Sequence, residues 1–169
     1  MVEAVVADFR VEVAQMVHGK KQNHSPIVAA IGAAERETTA EIRVHLSKRF
    51  IDRNPTLRAR KVFVELQMHK TELRNGVLLY VNLRRRKFAI VGDEGIHSKV
   101  GQDYWNSIAD SLISGLKTKS TEEAIANTVL EVGMKYFKAE QRFIIALHHE
   151  FTVLAMAETP GVNPSISFA

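Results

Sequence analysis

The chain has 169 residues, 46% hydrophobic and 25% charged, and its 23 lysines and arginines exceed its 19 aspartates and glutamates by four. These values are typical of a single globular domain, and so small a positive excess does not require an anionic partner. The absence of cysteine excludes disulfides, zinc–thiolate sites and cysteine nucleophiles. The acidic start is unlike a signal peptide and no apolar run reaches about 18 residues, so we expect a cytoplasmic protein without a transmembrane segment.

The first third of the chain predicts two helices and a strand. Apolar residues at helical spacing indicate a helix over residues 3–17. Ser25-Pro26 is typical of a helix start, with the Ser25 hydroxyl as N-cap, and predicts a second helix that ends near Arg36. Residues 41–47 alternate with period two and predict a strand. The residues predicted to face the core from this strand are Ile42, Val44 and Leu46.

The middle of the chain predicts a helix and a β-hairpin. Asn54-Pro55 repeats the start signal of Ser25-Pro26 and predicts a helix from Pro55 to about His69. Residues 76–83 and 88–92 are apolar and flank the basic run 84–87, which indicates two strands joined by a polar tip. The first of these strands is apolar on both faces, as expected of a central strand covered on both sides. A crossover helix implies that this strand is parallel to the one before it, and the hairpin adds an antiparallel strand.

The last third of the chain predicts further helices. After a loop that reaches Gly101, apolar spacing indicates a helix to about Leu116. The segment Ser120–Glu123 has the capping-box pattern and predicts a helix that reaches Phe137. Residues 143–156 are apolar over much of a helical circumference, so they either pack on the domain or form an oligomer contact. The predicted fold class is α/β, with a short mixed sheet between helices on both faces in an α/β/α sandwich.

Several short motifs together resemble those of one family. They are Ala34-Glu35, Thr38, Glu41–Val44, Arg74–Leu79, Gly92–Ile96, Tyr104-Trp105 and Val132-Gly133. In this combination the chain resembles a stand-alone bacterial TPM domain, from the family that includes the thylakoid lumen acid phosphatase. We expect a TPM-like domain over residues 25–138, an N-terminal extension helix over 1–24, and a C-terminal helical extension and tail over 139–169.

The resemblance implies a fold and a range of functions. It implies helices on both faces of a short sheet and a divalent-cation site, usually for calcium. For some members it implies acid phosphatase activity or a role in the upkeep of membrane protein complexes. We therefore expect a cation-binding module that acts through protein contacts. The alternatives are a metal-dependent acid phosphatase and a structural interaction domain without metal.

The predicted topology gathers acidic residues at one edge of the sheet. The parallel strands that begin at Glu41 and Gly76 start at the same edge, and the hairpin returns Asp93 to it. Carboxylates in such a group repel one another unless a cation or an arginine neutralises them. Carboxylate, carbonyl and water oxygens suit Ca²⁺ or Mg²⁺. The predicted metal ligands are Glu35, Glu41, Asp93 and Asp103, and the other residues of the site are Thr38, Arg74, Asn75 and Glu94.

Simpler interpretations of the same residues remain open. Asp93 and Glu94 also suit a turn between glycines, and with Arg74 as counter-ion the cluster is a structural ion pair. His97 is either a ligand, a general acid or an ordinary surface histidine. A phosphatase here requires metal-activated water near Asp93 with Arg74 on the phosphate, because no Asp-x-Asp nucleophile pair accompanies Asp93.

Four consecutive basic residues, Arg84 to Lys87, form the predicted hairpin tip. Such a run suits anionic lipid headgroups or nucleic acid, but without interleaved aromatic residues it is more typical of a solvated tip that prevents edge pairing. We therefore expect no specific nucleic acid partner. A protein partner of unknown identity is expected, with self-association through residues 143–156 as one option.

Overall fold

The computed structural model describes residues 6–8, 25–51 and 53–157, with side chains from residue 25 to 51 and from 53 to 146. Within these ranges the chain forms four strands, four α-helices and a short 3-10 turn at Met68–Lys70. The strands are β1 (Val6–Asp8), β2 (Glu41–Ser47), β3 (Gly76–Asn82) and β4 (Lys87–Gly92). The helices are α1 (Pro26–Glu37), α2 (Pro55–Glu65), α3 (Glu94–Thr118) and α4 (Thr121–Ala157).

The strands form one mixed sheet in the order β1-β4-β3-β2. Strands β2 and β3 are parallel, with Glu41 opposite Gly76, and β3 and β4 are antiparallel, with Val77 opposite Gly92. The predicted parallel pair and hairpin are therefore confirmed. The beginnings of β2 and β3 and the end of β4 lie at the same edge of the sheet, also as predicted.

Strand β3 is buried along its whole length, as its apolar sequence predicts. Val77, Leu79 and Val81 face a cluster that includes residues of α1, α3 and α4. Leu78 and Tyr80 face a second cluster that includes residues of α2. The sheet is thus covered on both faces, and the predicted α/β fold is confirmed.

The predicted helix over residues 3–17 is wrong at Val6–Asp8, which form β1. This strand pairs antiparallel with β4, with Val6 opposite Ala89 and Asp8 opposite Lys87. Apolar residues at helical spacing in a short segment favour a helix only weakly. The backbone hydrogen bonds available along the open side of β4 outweigh that preference. The rest of the predicted N-terminal helix lies outside the described residues.

Strand β2 departs from its predicted burial because it is an outer strand of the sheet. Ile42 is buried, and Val44 packs against the cluster on the side of α1. Leu46 is 41% exposed, so its predicted position in the core is wrong. An outer strand is covered less completely than a central one, and Leu46 lies outside the buried cluster.

The helix termini agree only partly with the predicted signals. The Asn54 side chain accepts a hydrogen bond from the Leu57 N–H, as an N-cap should. The predicted capping role of Ser25 is wrong, because its hydroxyl donates instead to Glu122 Oε1 at 2.6 Å. The Ser120–Glu123 capping box is confirmed by reciprocal hydrogen bonds of 3.2 and 3.3 Å.

Helices α3 and α4 are longer than predicted. The predicted loop before Gly101 is wrong, because α3 begins at Glu94 and Gly101 is a kink within it, with φ at 72°. Asp93 starts this helix early, since its side chain accepts a hydrogen bond from the Glu94 N–H. The helical segments predicted on either side of residue 139 form one continuous helix, α4.

Candidate functional site

The edge of the sheet where β2 and β3 begin and β4 ends brings most of the predicted site residues together. We call it the acidic edge. It comprises Glu35, Thr38, Thr39, Glu41, Arg74, Asn75, Asp93 and Glu94. Its charges and hydrogen bonds fall into three small networks.

The first network is an ion pair between Arg74 and Asp93. Arg74 donates from Nε to Asp93 Oδ2 at 2.7 Å and from Nη2 to Oδ1 at 2.8 Å, a bidentate geometry. The Asp93 side chain is fully buried, whereas that of Arg74 is about half exposed. Burial raises the pKa of the Asp93 carboxyl, but the hydrogen bonds from Arg74 and from the Glu94 N–H outweigh it and hold the pKa below its ordinary value.

The backbone around Arg74 keeps this pair in place. Arg74 has φ at 49°, in the left-handed region, and its carbonyl accepts hydrogen bonds from the N–H groups of Gly95 at 2.8 Å and Ile96 at 3.3 Å. A Cβ atom on Gly95 would lie 2.0 Å from the Leu73 carbonyl oxygen. Only glycine therefore lets the first turn of α3 approach the loop before β3 so closely.

The second network joins two glutamates to one arginine. Glu35 Oε1 accepts hydrogen bonds from the Ile42 N–H and from Arg43 Nη1, each at 3.0 Å. The other terminal nitrogen of Arg43 lies 3.0 Å from Glu41 Oε1. Sequence reasoning missed Arg43, although period two places it on the same face of β2 as Glu41.

The third network reaches from the sheet to α4. Asn75 Nδ2 donates to the Thr39 carbonyl at 2.6 Å and to Thr39 Oγ1 at 2.9 Å. The Thr39 hydroxyl in turn donates to Glu140 Oε1, which lies 3.8 Å from Lys99 Nζ. Glu140 lies 101 positions from Thr39 in the sequence, and no motif pointed to it. Thr38 is separate, since its hydroxyl donates to the Ala34 carbonyl.

Asp103, Glu94 and His97 do not join these networks through their side chains. Asp103 is exposed on α3, and no described contact links it to Glu35, Glu41 or Asp93. Glu94 is exposed at the start of α3. His97 Nδ1 accepts a hydrogen bond from Trp105 Nε1 at 3.1 Å, which leaves one ring nitrogen for other partners.

The donors at the acidic edge fit a divalent cation poorly in this arrangement. Both oxygens of Asp93 accept hydrogen bonds from Arg74, and Glu35 and Glu41 share Arg43. Within residues 25–51 and 53–146, no three Asp, Glu or His side chains are placed to hold a metal ion. An ion here has to displace an arginine, and the predicted metal ligands stay a prediction.

Comparison with known proteins identifies the family. The family model of the TPM domain matches residues 20–135, more than half of the chain. The chain belongs to the TPM domain family. The predicted resemblance is thereby confirmed, while the domain limits stay a prediction.

A solved structure resembles this chain in fold and sequence. The NMR structure of the BA42 protein from the psychrophilic bacterium Bizionia argentinensis is 33% identical over 73% of this chain and 88% of that one, with a TM-score of 0.65. Among curated protein sequences there is no match to this chain. Within the described residues of this TPM domain, no helix is long and apolar enough to cross a membrane.

Proposed function

We propose that this TPM domain is a binding module that acts through protein contacts made by the last part of α4. The observation that carries the proposal is the course of this helix. It passes the acidic edge, where Glu140 contacts Thr39, and continues to Ala157. The family match ends earlier, at residue 135, and the last part of α4 lies beyond it.

Three consecutive apolar side chains in this last part of α4 are about half exposed or more. Phe143, Ile144 and Ile145 are 49%, 48% and 66% exposed. Successive helical residues are about 100° apart, so these three span about 200° of the circumference. Lys99 Nζ lies 5.7 Å from the centroid of the Phe143 ring and covers only part of it. A helix that is apolar on so many sides normally has a partner.

The partner that this segment favours is a second copy of the chain. Residues 143–157 contain one formally charged side chain, Glu150, so two copies of the segment meet with little like-charge repulsion. The segment is about 22 Å long as a helix, enough for about four turns of helix–helix packing. We therefore place self-association through α4 first among the protein contacts of the module.

Sedimentation equilibrium of the full chain tests this proposal. We expect a dimer or larger assembly at micromolar concentration, and a monomer for the triple variant Phe143→Gln, Ile144→Gln, Ile145→Gln. Glutamine keeps a good helix propensity, so the change removes apolar surface with little effect on the helix. The matched control introduces glutamine in the same way at Val28, Leu57 and Val64, which are 65%, 53% and 49% exposed. This variant should assemble like the wild type. A wild-type monomer at all concentrations contradicts the proposal.

Binding of calcium or magnesium at the acidic edge is a second candidate. It is favoured by three carboxylates of the acidic edge, Glu35, Glu41 and Asp93, and by Glu140 of α4, which contacts Thr39 there. Because Arg43 competes with any ion for two of them, Arg43→Gln should strengthen calcium binding in calorimetry, whereas Glu35→Gln should weaken it about tenfold. Absence of calcium binding at millimolar concentration rejects this candidate.

Hydrolysis of phosphate esters is not part of the proposal. Asp93 is buried and both of its oxygens accept hydrogen bonds from Arg74, so it is not free to activate water. Turnover of a phosphate ester that survives repurification and disappears in Asp93→Asn would restore the phosphatase alternative.

A further inference from the structure

The end of the sheet opposite the acidic edge is formed by two loops that lie side by side. The Leu83 N–H donates to the Ser47 carbonyl at 2.9 Å. Asn82 Nδ2 donates to the Arg49 carbonyl at 3.1 Å. These bonds hold the loop after β2 against the turn of the β3–β4 hairpin.

Both loops are strongly basic. Together with Lys87, the first residue of β4, they carry seven lysines and arginines, none of which forms an ion pair with a described acidic side chain. They are Lys48, Arg49, Arg53, Arg84, Arg85, Arg86 and Lys87. Residues 47–53 and 83–87 contain one acid, Asp52, and Asp8 of β1 lies opposite Lys87 in the strand register. The charge of this surface therefore stays strongly positive.

Two large apolar side chains stand in the same surface. Phe50 is 62% exposed and Ile51 is 76% exposed. The Arg84 guanidinium carbon lies 4.6 Å from the centroid of the Phe50 ring, a cation–π contact between the two loops. We call the seven basic residues together with Phe50 and Ile51 the basic tip. Its aromatic residue comes from a loop distant in sequence from the basic run 84–87.

We propose that the basic tip docks on an anionic membrane surface. Clustered lysines and arginines are attracted to anionic headgroups, and apolar side chains among them enter the interface between headgroups and acyl chains. The exposed Ile51 favours the membrane over single-stranded nucleic acid, because an aliphatic side chain inserts readily among acyl chains, whereas base stacking uses aromatic rings. The proposal depends only on the basic tip and is independent of self-association through α4.

Co-sedimentation with vesicles tests the docking. We expect the full chain to bind vesicles that contain phosphatidylglycerol in phosphatidylcholine, and to bind pure phosphatidylcholine vesicles much more weakly. Binding to the anionic vesicles should fall as salt rises, because salt screens the attraction. Equal binding to both kinds of vesicle, or binding to neither, overturns the proposal.

Variants locate the contact. Arg84→Gln with Arg85→Gln should reduce binding about tenfold or more, since each cation near an anionic surface adds to the affinity. Phe50→Ser with Ile51→Ser keeps the charge and should also weaken binding. The matched control, Lys138→Gln with Arg142→Gln, removes the same charge from exposed positions on α4 and should bind as the wild type does.

Two results of the variant series overturn the proposal. The first is an equal loss in the α4 control, which would make the attraction a property of net charge alone. The second is a preference for single-stranded DNA over vesicles that the Phe50 and Ile51 changes leave intact, which would assign the basic tip to nucleic acid. Because all the substituted side chains are exposed, circular dichroism of each variant should match the wild type.

Discussion

The two ends of the sheet carry charge in opposite ways. At the acidic edge, Glu35, Glu41 and Asp93 each have an arginine nitrogen within 3.0 Å. At the basic tip, seven cations have no described acidic partner and surround two exposed apolar side chains. A cluster of acids in a sequence is thus a weak guide to a site when arginines arrive with it. Charges that the fold leaves unpaired are the ones available to a partner.

The contrast arises because the two ends of the sheet are built from different parts of the chain. The acidic edge joins the start of β2, the end of α1, the loop before β3 and the start of α3, so oppositely charged residues converge there. The basic tip joins only two loops, and both are rich in cations. Folding therefore neutralises one end and concentrates charge at the other.

The largest effect that we expect is on stability at the acidic edge. Asp93→Ala removes the hydrogen bonds from Arg74 and the N-cap of α3, and should lower the free energy of unfolding by about 2 to 3 kcal/mol. Glu41→Ala removes a partly exposed pair and should lower it by less than about 1 kcal/mol. Urea denaturation of both variants measures the difference. Equal losses would mean that the Asp93 pair is no more than a surface contact.

The pH dependence of stability should sharpen the comparison. The pKa of Asp93 is lower in the folded protein than its ordinary value, so in acid the unfolded chain binds more protons than the native one. The free energy of unfolding should therefore rise with pH through this range, and the contribution of Asp93 is lost as pH falls through its folded pKa. Urea denaturation between about pH 2 and pH 6 should show a shallower dependence for Asp93→Asn than for the wild type. If the free energy of unfolding of the two proteins changed with pH in parallel, the lowered pKa of Asp93 would be contradicted.

The smallest effect should come from the basic tip. Arg84 and Arg85 are exposed and have no described ion pair, so replacing both with glutamine should change the free energy of unfolding by no more than about 0.5 kcal/mol. The same urea denaturation measures it. A loss comparable to that of Asp93→Ala would show that these cations have structural partners, and the distinction between the two ends would fail.

Much of this arrangement could be predicted from local pattern. Period two identified β2, the continuous apolar run identified β3 as central, and the crossover rule placed the beginnings of β2 and β3 beside Asp93. The pairing of acids with Arg43 could not be predicted with the same rules, because strand period assigns a face and not a partner. The sequence left two interpretations of Asp93 open, a metal ligand or an ion pair with Arg74. The hydrogen-bond geometry was needed to favour the ion pair.

Other features depend on contacts between distant segments. Strand β1 exists because β4 has an open side, which no pattern within residues 3–17 reveals. Phe50 reaches Arg84 only because β2 and β3 end side by side, so the basic run was interpreted without its aromatic neighbour. Glu140 reaches Thr39 only because α4 continues past residue 135, where the family match ends.

The direction of α4 has a consequence for how the two proposed contacts combine. The helix starts near Ser25 and runs toward the acidic edge, so its final turns point away from the hairpin turn. With 37 residues it is about 55 Å long. A molecule whose hairpin rests on a lipid layer would hold those turns well clear of the headgroups. The domain would then separate its two contacts in space, so that membrane attachment through the basic tip does not compete with self-association through the end of α4.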